Sequence, residues 1–218
     1  MTAPLIPANR LFLITLGVTI VAGMFCTPPP FEFKLTNNYK REHFLGRELS
    51  GSTVGICMLL SDTGIPPPKT ISSAAIVKKI RENRSDLVYS GPDSVFERLK
   101  NQSGEAAVAQ FRSELFNGDM GILLTSDSLW HAVGNDYLLV IRLRRGMYIR
   151  TFNQMIRKRF IVEAELWDCR EIETVWRVVV DGSCSRPGYS DRKILLEALG
   201  SIAAALPASL PAYDTKSW

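Results

Sequence analysis

Residues 134–181 read GNDYLLVIRLRRGMYIRTFNQMIRKRFIVEAELWDCREIETVWRVVVD, and this stretch decides the fold. The uninterrupted apolar run that follows Asp136 predicts a strand over 137–143 that is buried on both faces of a sheet. Residues 160–168 and 174–181 alternate apolar and polar side chains on either side of a short turn, which is typical of a β-hairpin with one buried face. These strands are expected to form the centre of the domain.

On either side of this centre, the sequence predicts strands and helices in alternation. Thr53–Leu60 is a second continuous apolar run, which favours another buried strand, and a short strand is expected at 87–89. Apolar residues recur at helical spacing in five further segments. These helical segments are 70–83, a helix that starts at 92, 105–116, 126–133 and 190–206. The order predicts an α/β (α+β) domain, with helices packed on a mixed sheet, a closing β-hairpin and a C-terminal helix.

The N-terminal segment is apolar. Residues 11–26 read LFLITLGVTIVAGMFC without a charge, with Arg10 before them and three prolines at 28–30. A helix that spans a membrane needs about 20 apolar residues, so this segment is closer to the apolar region of a secretory signal. Three interpretations stay open: a lipoprotein whose mature chain starts at a lipidated Cys26, ordinary cleavage near Gly23, or an uncleaved anchor helix. We expect a membrane-anchored cell-envelope protein that faces the periplasm, with the outer membrane as its expected location.

The domain boundaries follow from these features. Residues 1–26 are predicted to be the signal peptide or membrane anchor, and 27–50 a partly ordered linker that contains a solvated His43. Residues 51–206 are predicted to form the α/β domain, and 207–218 a C-terminal tail.

Composition narrows the function classes. A hydrophobic content of 46% supports a globular core, and a net charge of +4 is too small to argue for nucleic acid by itself. The four cysteines form no CxxC pair, and the chain has two histidines, so a zinc or multi-histidine metal site is not expected. We therefore expect no cofactor and no metal.

The strongest charge signal lies between the predicted strands, where residues 137–162 hold no acidic side chain. The basic residues of this segment are Arg142, Arg144, Arg145, Arg150, Arg157, Lys158 and Arg159. The segment is interpreted as a basic loop that binds an anionic partner, either lipid head groups, a cell-wall polymer or an acidic protein face. The alternative is an ordinary solvated loop. Nucleic-acid binding is disfavoured by the export signal. The residues predicted to contact a partner are Arg144, Arg145, Arg150, Arg157, Lys158 and Arg159.

Two groups of residues raise the question of catalysis. Ser183, Cys184 and Ser185 lie in a glycine-flanked segment, but a hydrolase also needs a base within hydrogen-bond reach, and His131 is the one histidine in the predicted domain. The sequence contains no GxSxG motif.

Paired carboxylates can perform acid–base chemistry, and Glu163 and Glu165 alternate along one strand. They are expected on the solvent side, with Arg177 as their cross-strand partner. Cys57 is expected to pack as a small apolar residue, and Cys169 and Cys184 are expected to be free thiols.

Two segments carry a family resemblance. Residues 132–139 (AVGNDYLL) resemble an A-x-x-G-A-D-Y-L-L stretch that enters a central strand, and 166–176 (LWDCREIETVW) resemble an L-W-D-A-x-T-G-E-V-V-W hairpin. Both are similar to bacterial envelope lipoproteins of the CsgG and LpoB type, which have a small α/β domain behind a signal peptide. The resemblance implies a non-catalytic accessory protein that acts through protein contacts.

The hairpin departs from that family at one position. The family has glycine where this sequence has Ile172, and a β-branched residue resists positive φ, so the turn is expected to differ or to be strained. Trp167 and Trp176 flank the turn and are expected to pair across it, while Asp168 is expected to bond the turn amides.

The sequence as a whole predicts a non-catalytic, membrane-tethered envelope lipoprotein that acts as an accessory or assembly factor through contacts with other envelope proteins. The alternatives are a hydrolase that uses residues 183–185, and an anchored protein that binds anionic lipid or nucleic acid through the basic segment 142–159.

Overall fold

The computed structural model describes residues 31–60, 71–117, 127–150, 156–184 and 189–207. Six strands form one sheet in the order β1-β6-β5-β4-β2-β3. Their bounds are β1 Phe31–Lys40, β2 Thr53–Leu60, β3 Val88–Ser90, β4 Tyr137–Arg150, β5 Ile156–Asp168 and β6 Glu173–Cys184. Strand β2 is parallel to β3 and β4, and the pairs β1–β6, β4–β5 and β5–β6 are antiparallel. The predicted mixed sheet is confirmed.

Four helices pack on this sheet. Within the described ranges they are α1 Ser73–Arg81, α2 Pro92–Asn117, α3 Asp127–Val133 and α4 Asp191–Ala205, and a 3-10 turn spans Arg47–Leu49. The side chains of Ser72 and Ser190 cap α1 and α4 by accepting hydrogen bonds from backbone N–H groups three residues later. Helix α2 is interrupted at Gly104, whose φ of 84° and ψ of 170° are not helical. The two helices predicted in this region therefore meet at that glycine.

The sheet has a core on each face. Helices α1 and α4 cover one face, where Ile80 and Leu199 pack in a cluster with Ile141. Helices α2 and α3 cover the other face, where Phe111 and Trp130 pack in a second cluster with the β4 residues Leu138 and Val140. Strand β4 contributes to both clusters, which is why its sequence is continuously apolar from 137 to 141.

One end of the sheet, which we call the turn end, contains the start of β4 and the turn between β5 and β6. Here the Asp136 carboxylate accepts hydrogen bonds from the Thr53 N–H and hydroxyl, both at 2.9 Å, and from Arg170 at 2.6 Å. The Thr53 backbone N–H is the largest cause that holds the pKa of Asp136 below its ordinary value. Asp136 thus joins the start of β2 to the start of β4 and to the β5–β6 turn.

The β5–β6 turn adopts the strained form of the two expected. Ile172 has a φ of 54°, in the left-handed region that a β-branched side chain disfavours. Asp168 Oδ1 accepts hydrogen bonds from the backbone N–H groups of Arg170 at 2.9 Å and Glu171 at 3.3 Å, as predicted. These two bonds hold the chain in the turn that places Ile172 at positive φ.

The predicted pairing of Trp167 with Trp176 is wrong. A register shift between Leu166 and Trp167 places Trp167 opposite Thr174 and sends the two indoles to opposite faces of the sheet. Trp167 stacks on Trp130 of α3, with 5.4 Å between ring centroids. The two tryptophans therefore anchor the two separate cores.

The predicted basic loop is corrected to a β-hairpin. Strand β4 continues to Arg150 and β5 begins at Ile156, so most of the basic residues lie in paired strands. On its other side, β4 pairs with β2 only as far as Leu143. The sequence did not predict this extension, because its arginines are interspersed with Met, Tyr and Ile in a pattern that is neither continuously apolar nor regularly alternating.

The predicted linker 27–50 is also corrected where the structure describes it. Strand β1 pairs with β6 from Phe31 opposite Cys184 to Lys40 opposite Trp176, and the 3-10 turn buries Leu49 completely. The apolar residues Phe31, Phe33 and Leu35 alternate as in a strand, but the polar run that follows them and the three prolines at 28–30 made the segment resemble a linker. Residues 1–30, which include Cys26, and the tail from 208 onward lie outside the described residues.

Candidate interaction site

The structure places the six residues predicted to contact a partner on strands β4 and β5. Arg145 and Arg150 pair in register with Ile161 and Ile156, and Arg157, Lys158 and Arg159 pair with 149, 148 and 147. Arg144 lies at a register shift between Leu143 and 145. The six residues therefore belong to one two-stranded segment, but they do not share one environment.

Arg144 is bound to the domain itself. Its Nε donates to Glu163 Oε2 at 2.6 Å, and its Nη1 donates to the Phe116 carbonyl oxygen at 3.0 Å, near the end of α2. The side chain is about one third exposed. Arg144 connects the last turn of α2 to the sheet, which is a structural role.

Lys158 and Arg159 also have partners within the domain. Lys158 Nζ donates to the Tyr189 carbonyl oxygen at 2.9 Å and to Asp191 Oδ1 at 2.8 Å, and so connects β5 to the start of α4. Arg159 forms a bidentate pair with Asp181 of β6, which lowers the pKa of that carboxyl. For Arg145, Arg150 and Arg157 the structure describes the backbone alone, so their contact with a partner stays a prediction.

The first arginine of the segment, Arg142, is fully buried. Its Nη1 lies 2.8 Å from Glu165 Oε2, and its Nε donates to the Leu115 carbonyl oxygen in α2. Glu165 is 1% exposed and also pairs with Arg177 and accepts a hydrogen bond from the Trp167 indole at 3.2 Å. A buried carboxylate is thus balanced by two guanidinium groups and an indole N–H.

Sequence reasoning identified part of this buried network. Arg177 is a partner of the strand carboxylates, as predicted, since it pairs with Glu165 and lies 3.7 Å from Glu163. The expectation that both acids face solvent is wrong, because helix α2 covers Glu165. Arg142 was missed. Its burial could have been predicted from its position directly after the buried run that ends at Ile141. In the strand register it lies opposite Glu163.

The hydrolase alternative lacks its geometry. Ser183 lies opposite Arg159 on β5, whereas exposed His131 is on α3, which leads into β4 where Tyr137 pairs with Asp168. Nine residues of β5 separate these positions, on the order of 30 Å along the strand. The structure therefore does not bring the histidine to the serine, and Ser185 lies outside the described residues.

The described cysteines are buried and form no disulfide. Cys57 and Cys169 pack in the cluster under α2 and α3, whereas Cys184 packs in the cluster on the opposite face. Burial raises the pKa of the Cys57 thiol and of the Cys169 thiol to about 12. Both thiols therefore stay protonated at neutral pH, and the expectation that Cys57 packs as an apolar residue is confirmed.

Two further properties concern only the part of the chain that the structure describes. Within those ranges, no three His, Cys, Asp or Glu side chains are grouped so that they could hold a metal ion. None of the helices in the same ranges combines the length and hydrophobicity needed to cross a membrane.

No protein-family model and no curated protein matches the sequence. Among solved structures, the chain is distantly similar in fold to the PelC dodecamer from Paraburkholderia phytofirmans, with 13% identity, a TM-score of 0.44 and coverage of 82% of this chain and 98% of that one. It is also similar to lipoprotein GNA1162 from Neisseria meningitidis, with 16% identity, a TM-score of 0.45 and coverage of 70% and 98%. At these values the likeness concerns the arrangement of strands and helices and says nothing about activity.

Proposed function

We propose that this protein is a non-catalytic, membrane-tethered lipoprotein of the cell envelope that acts as an accessory or assembly factor through contacts with other envelope proteins. The observation that carries the proposal is the uncharged apolar segment 11–26, which ends four residues before strand β1 begins at Phe31. In this proposal Cys26 carries the lipid, and the α/β domain faces the periplasm.

The resemblance of the segments 132–139 and 166–176 to envelope lipoproteins of the CsgG and LpoB type supports the same function. In this chain, residues of those segments stabilise the fold. Asp136 joins two strands and the turn, and Asp168 holds the turn. Partner contact is therefore proposed for another surface, the basic extension of β4 and β5.

The experiment is intact-mass measurement of the full chain purified from its native membrane. A mature chain that starts at Cys26 with the added mass of a lipid is expected, and Cys26→Ala should abolish that mass. Protease added outside the inner membrane should digest the domain in cells whose outer membrane has been opened. An unmodified chain that keeps residues 1–25, with a domain that the protease does not reach, would refute the lipoprotein and its periplasmic side.

The second candidate function is an anchored protein whose basic segment binds an anionic partner that is not a protein. The charge of the β4–β5 extension favours this candidate, because Arg145, Arg150 and Arg157 come with no acid between 137 and 162. It shares the tether with the first proposal and differs in what the domain contacts.

A further inference from the structure

The sheet pairing brings four separate parts of the chain together at the end opposite the turn end. Phe31 pairs with Cys184, Cys184 pairs with Lys158, and Lys158 pairs with Tyr148. Tyr189, at the start of α4, lies against Phe31 with 4.9 Å between ring centroids. We call this the basic end. The chain therefore begins its first strand beside the β4–β5 extension and the N-terminus of α4.

Charge is concentrated at the basic end. Residues 31–34, 145–150, 156–160, 181–184 and 189–193 hold eight basic and three acidic side chains, a formal net charge of +5. The whole chain carries +4, so all other residues together carry −1. The excess of positive charge in this protein is thus a property of one end of its sheet.

The described basic side chains at this end include exposed ones that bind no acid. Arg192, in the first turn of α4, is exposed and forms no ion pair within the described residues. Lys193 lies 4.2 Å above the Tyr189 ring. Phe31 and Phe33 are half-buried beside them, with 6.0 Å between their rings. Basic side chains interleaved with aromatic rings are the composition of protein surfaces that contact lipid head groups.

The length of chain ahead of β1 limits how far this end can lie from an anchor. Four residues, 27–30, separate Cys26 from Phe31, and the five extended steps between these two residues span at most about 18 Å. This step rests on the proposed tether at residue 26. With that tether, Phe31 is the membrane-proximal point of the domain, and the basic end is the part of the domain that the tether keeps beside the bilayer.

We propose that the basic end of the sheet binds the anionic phospholipid surface of the membrane in which the chain is anchored, and so fixes the orientation of the domain. The turn end, at the other end of the sheet, then points away from the bilayer. Each basic side chain near such a surface biases the contact roughly fivefold, so three of them give about a hundredfold.

The test uses the full chain reconstituted in vesicles of phosphatidylcholine alone or with about 30% phosphatidylglycerol, since anionic lipid supplies the surface potential. Hydrogen exchange is followed by mass spectrometry in peptides from the basic end and the turn end. On anionic vesicles at low salt, exchange over 145–150, 156–160 and 189–193 is expected to slow at least about fivefold relative to neutral vesicles. Salt of about 0.5 M should remove this protection by screening, and exchange around 168–173 should not change.

A matched pair of variants makes the test specific. The triple variant Arg150→Gln, Arg157→Gln and Arg192→Gln should lose the lipid-dependent protection. The control Lys40→Gln, Arg47→Gln and Arg81→Gln removes the same charge from exposed positions elsewhere in the domain and should keep it. Equal exchange of the wild type on both kinds of vesicle, or equal protection of the two triple variants, would overturn the inference.

Anchoring is measured separately, so that failure of the tether can be distinguished from failure of the surface contact. Flotation of the full chain with neutral vesicles at high salt reports anchoring through residues 1–26, without help from charge. Protein that floats but shows no anionic-lipid protection refutes the surface contact and leaves the proposed function standing. Protein that does not float refutes the tether, and with it the premise of this inference.

Discussion

Strands β4 and β5 carry arginines over 142–159, and the surroundings of these arginines differ between two parts of the hairpin. In the part that packs against the helices, Arg142 is fully buried and forms an ion pair with Glu165, and Arg144 forms an ion pair with Glu163. In the extension over 145–160, the two strands contain no acidic residue, and the acids that pair with Lys158 and Arg159 come from outside the hairpin. The same residue type therefore stabilises the hairpin where β5 supplies an acid across the sheet, whereas in the extension a basic residue that is paired, such as Arg159, takes its acid from another element.

Removing the buried acid should give the largest effect. Glu165→Ala leaves Arg142 buried without its nearest carboxylate, and breaking a buried ion pair costs about 3–5 kcal/mol. Urea unfolding of the full-length chain in detergent, followed by circular dichroism, measures this loss. The matched variant Glu163→Ala, at a position whose partner Arg144 is one third exposed, should cost clearly less. A loss below about 1 kcal/mol for Glu165→Ala would contradict the contrast, since that is the range of exposed ion pairs.

The turn end should give the next largest effect. Asp136→Ala removes three charge-assisted hydrogen bonds and should cost about 2–3 kcal/mol. Because the folded protein holds the pKa of Asp136 below the ordinary value of 3.8, its stabilisation is fully present above that pH and is lost as the pH falls through the folded pKa.

Unfolding free energies of wild type and Asp136→Ala should therefore converge below about pH 4, where the carboxylate becomes protonated. Asp181→Ala is the control, because Asp181 is about as exposed as Asp136 but is bound by the exposed side chain of Arg159, without donors like those of Thr53, and should contribute less than about 1 kcal/mol. A difference between wild type and Asp136→Ala that stays constant from pH 7 to below pH 3 would show that the carboxylate charge is not what matters.

A smaller effect is expected at the strained turn. Ile172→Gly relieves a left-handed strain of roughly 1–2 kcal/mol, while it loses the partial packing of Ile172 and adds freedom to the unfolded chain. The change in unfolding free energy should stay within about 1 kcal/mol, as these contributions oppose each other. Val179→Gly, in the middle of β6, has no strain to relieve and should destabilise by more. Equal losses for both variants would argue against strain at Ile172.

The smallest effect on stability should come from the basic extension. Replacing Arg150, Arg157 and Arg192 with glutamine should change the unfolding free energy by less than about 0.5 kcal/mol per site, because Arg192 is exposed and the other two lie at the ends of their strands. Chemical denaturation in detergent checks this. A loss comparable to that of Glu165→Ala would mean that the extension, like the packed part of the hairpin, uses its arginines for folding.

Sequence reasoning found the elements whose patterns are simple. The apolar runs at 53–60 and 137–141 predict strands buried on both faces, and the helical spacing of apolar residues predicts all four helices. It did not find β1, because the alternation of Phe31, Phe33 and Leu35 is short and gives way to a polar run, and the rest of the strand is ordered by its register against β6. The extension of β4 was missed for a related reason, since its pairing with β5 compensates for a pattern broken by arginines.

The interaction site was predicted less well than the fold. The sequence identified the basic residues but could not separate Arg144, Lys158 and Arg159, which bind within the domain, from the others. That separation depends on which acids lie across the sheet or at the start of α4, and so on contacts between residues about 20 to 33 positions apart. The charged residues of a sequence predict the charge of a surface only after those that form ion pairs within the domain have been excluded.

The way in which β1 joins the sheet has a mechanical consequence. The chain reaches the domain at the outer end of β1, so tension transmitted from residues ahead of Phe31 runs along the strand. Eight residues of β1 are paired with β6, and a pull in that direction loads their hydrogen bonds together, in shear, instead of opening them one after another. Because forced unfolding is governed by the rate of the slowest rupture, this attachment should resist drag on the domain far better than a flexible loop joined to one interior residue.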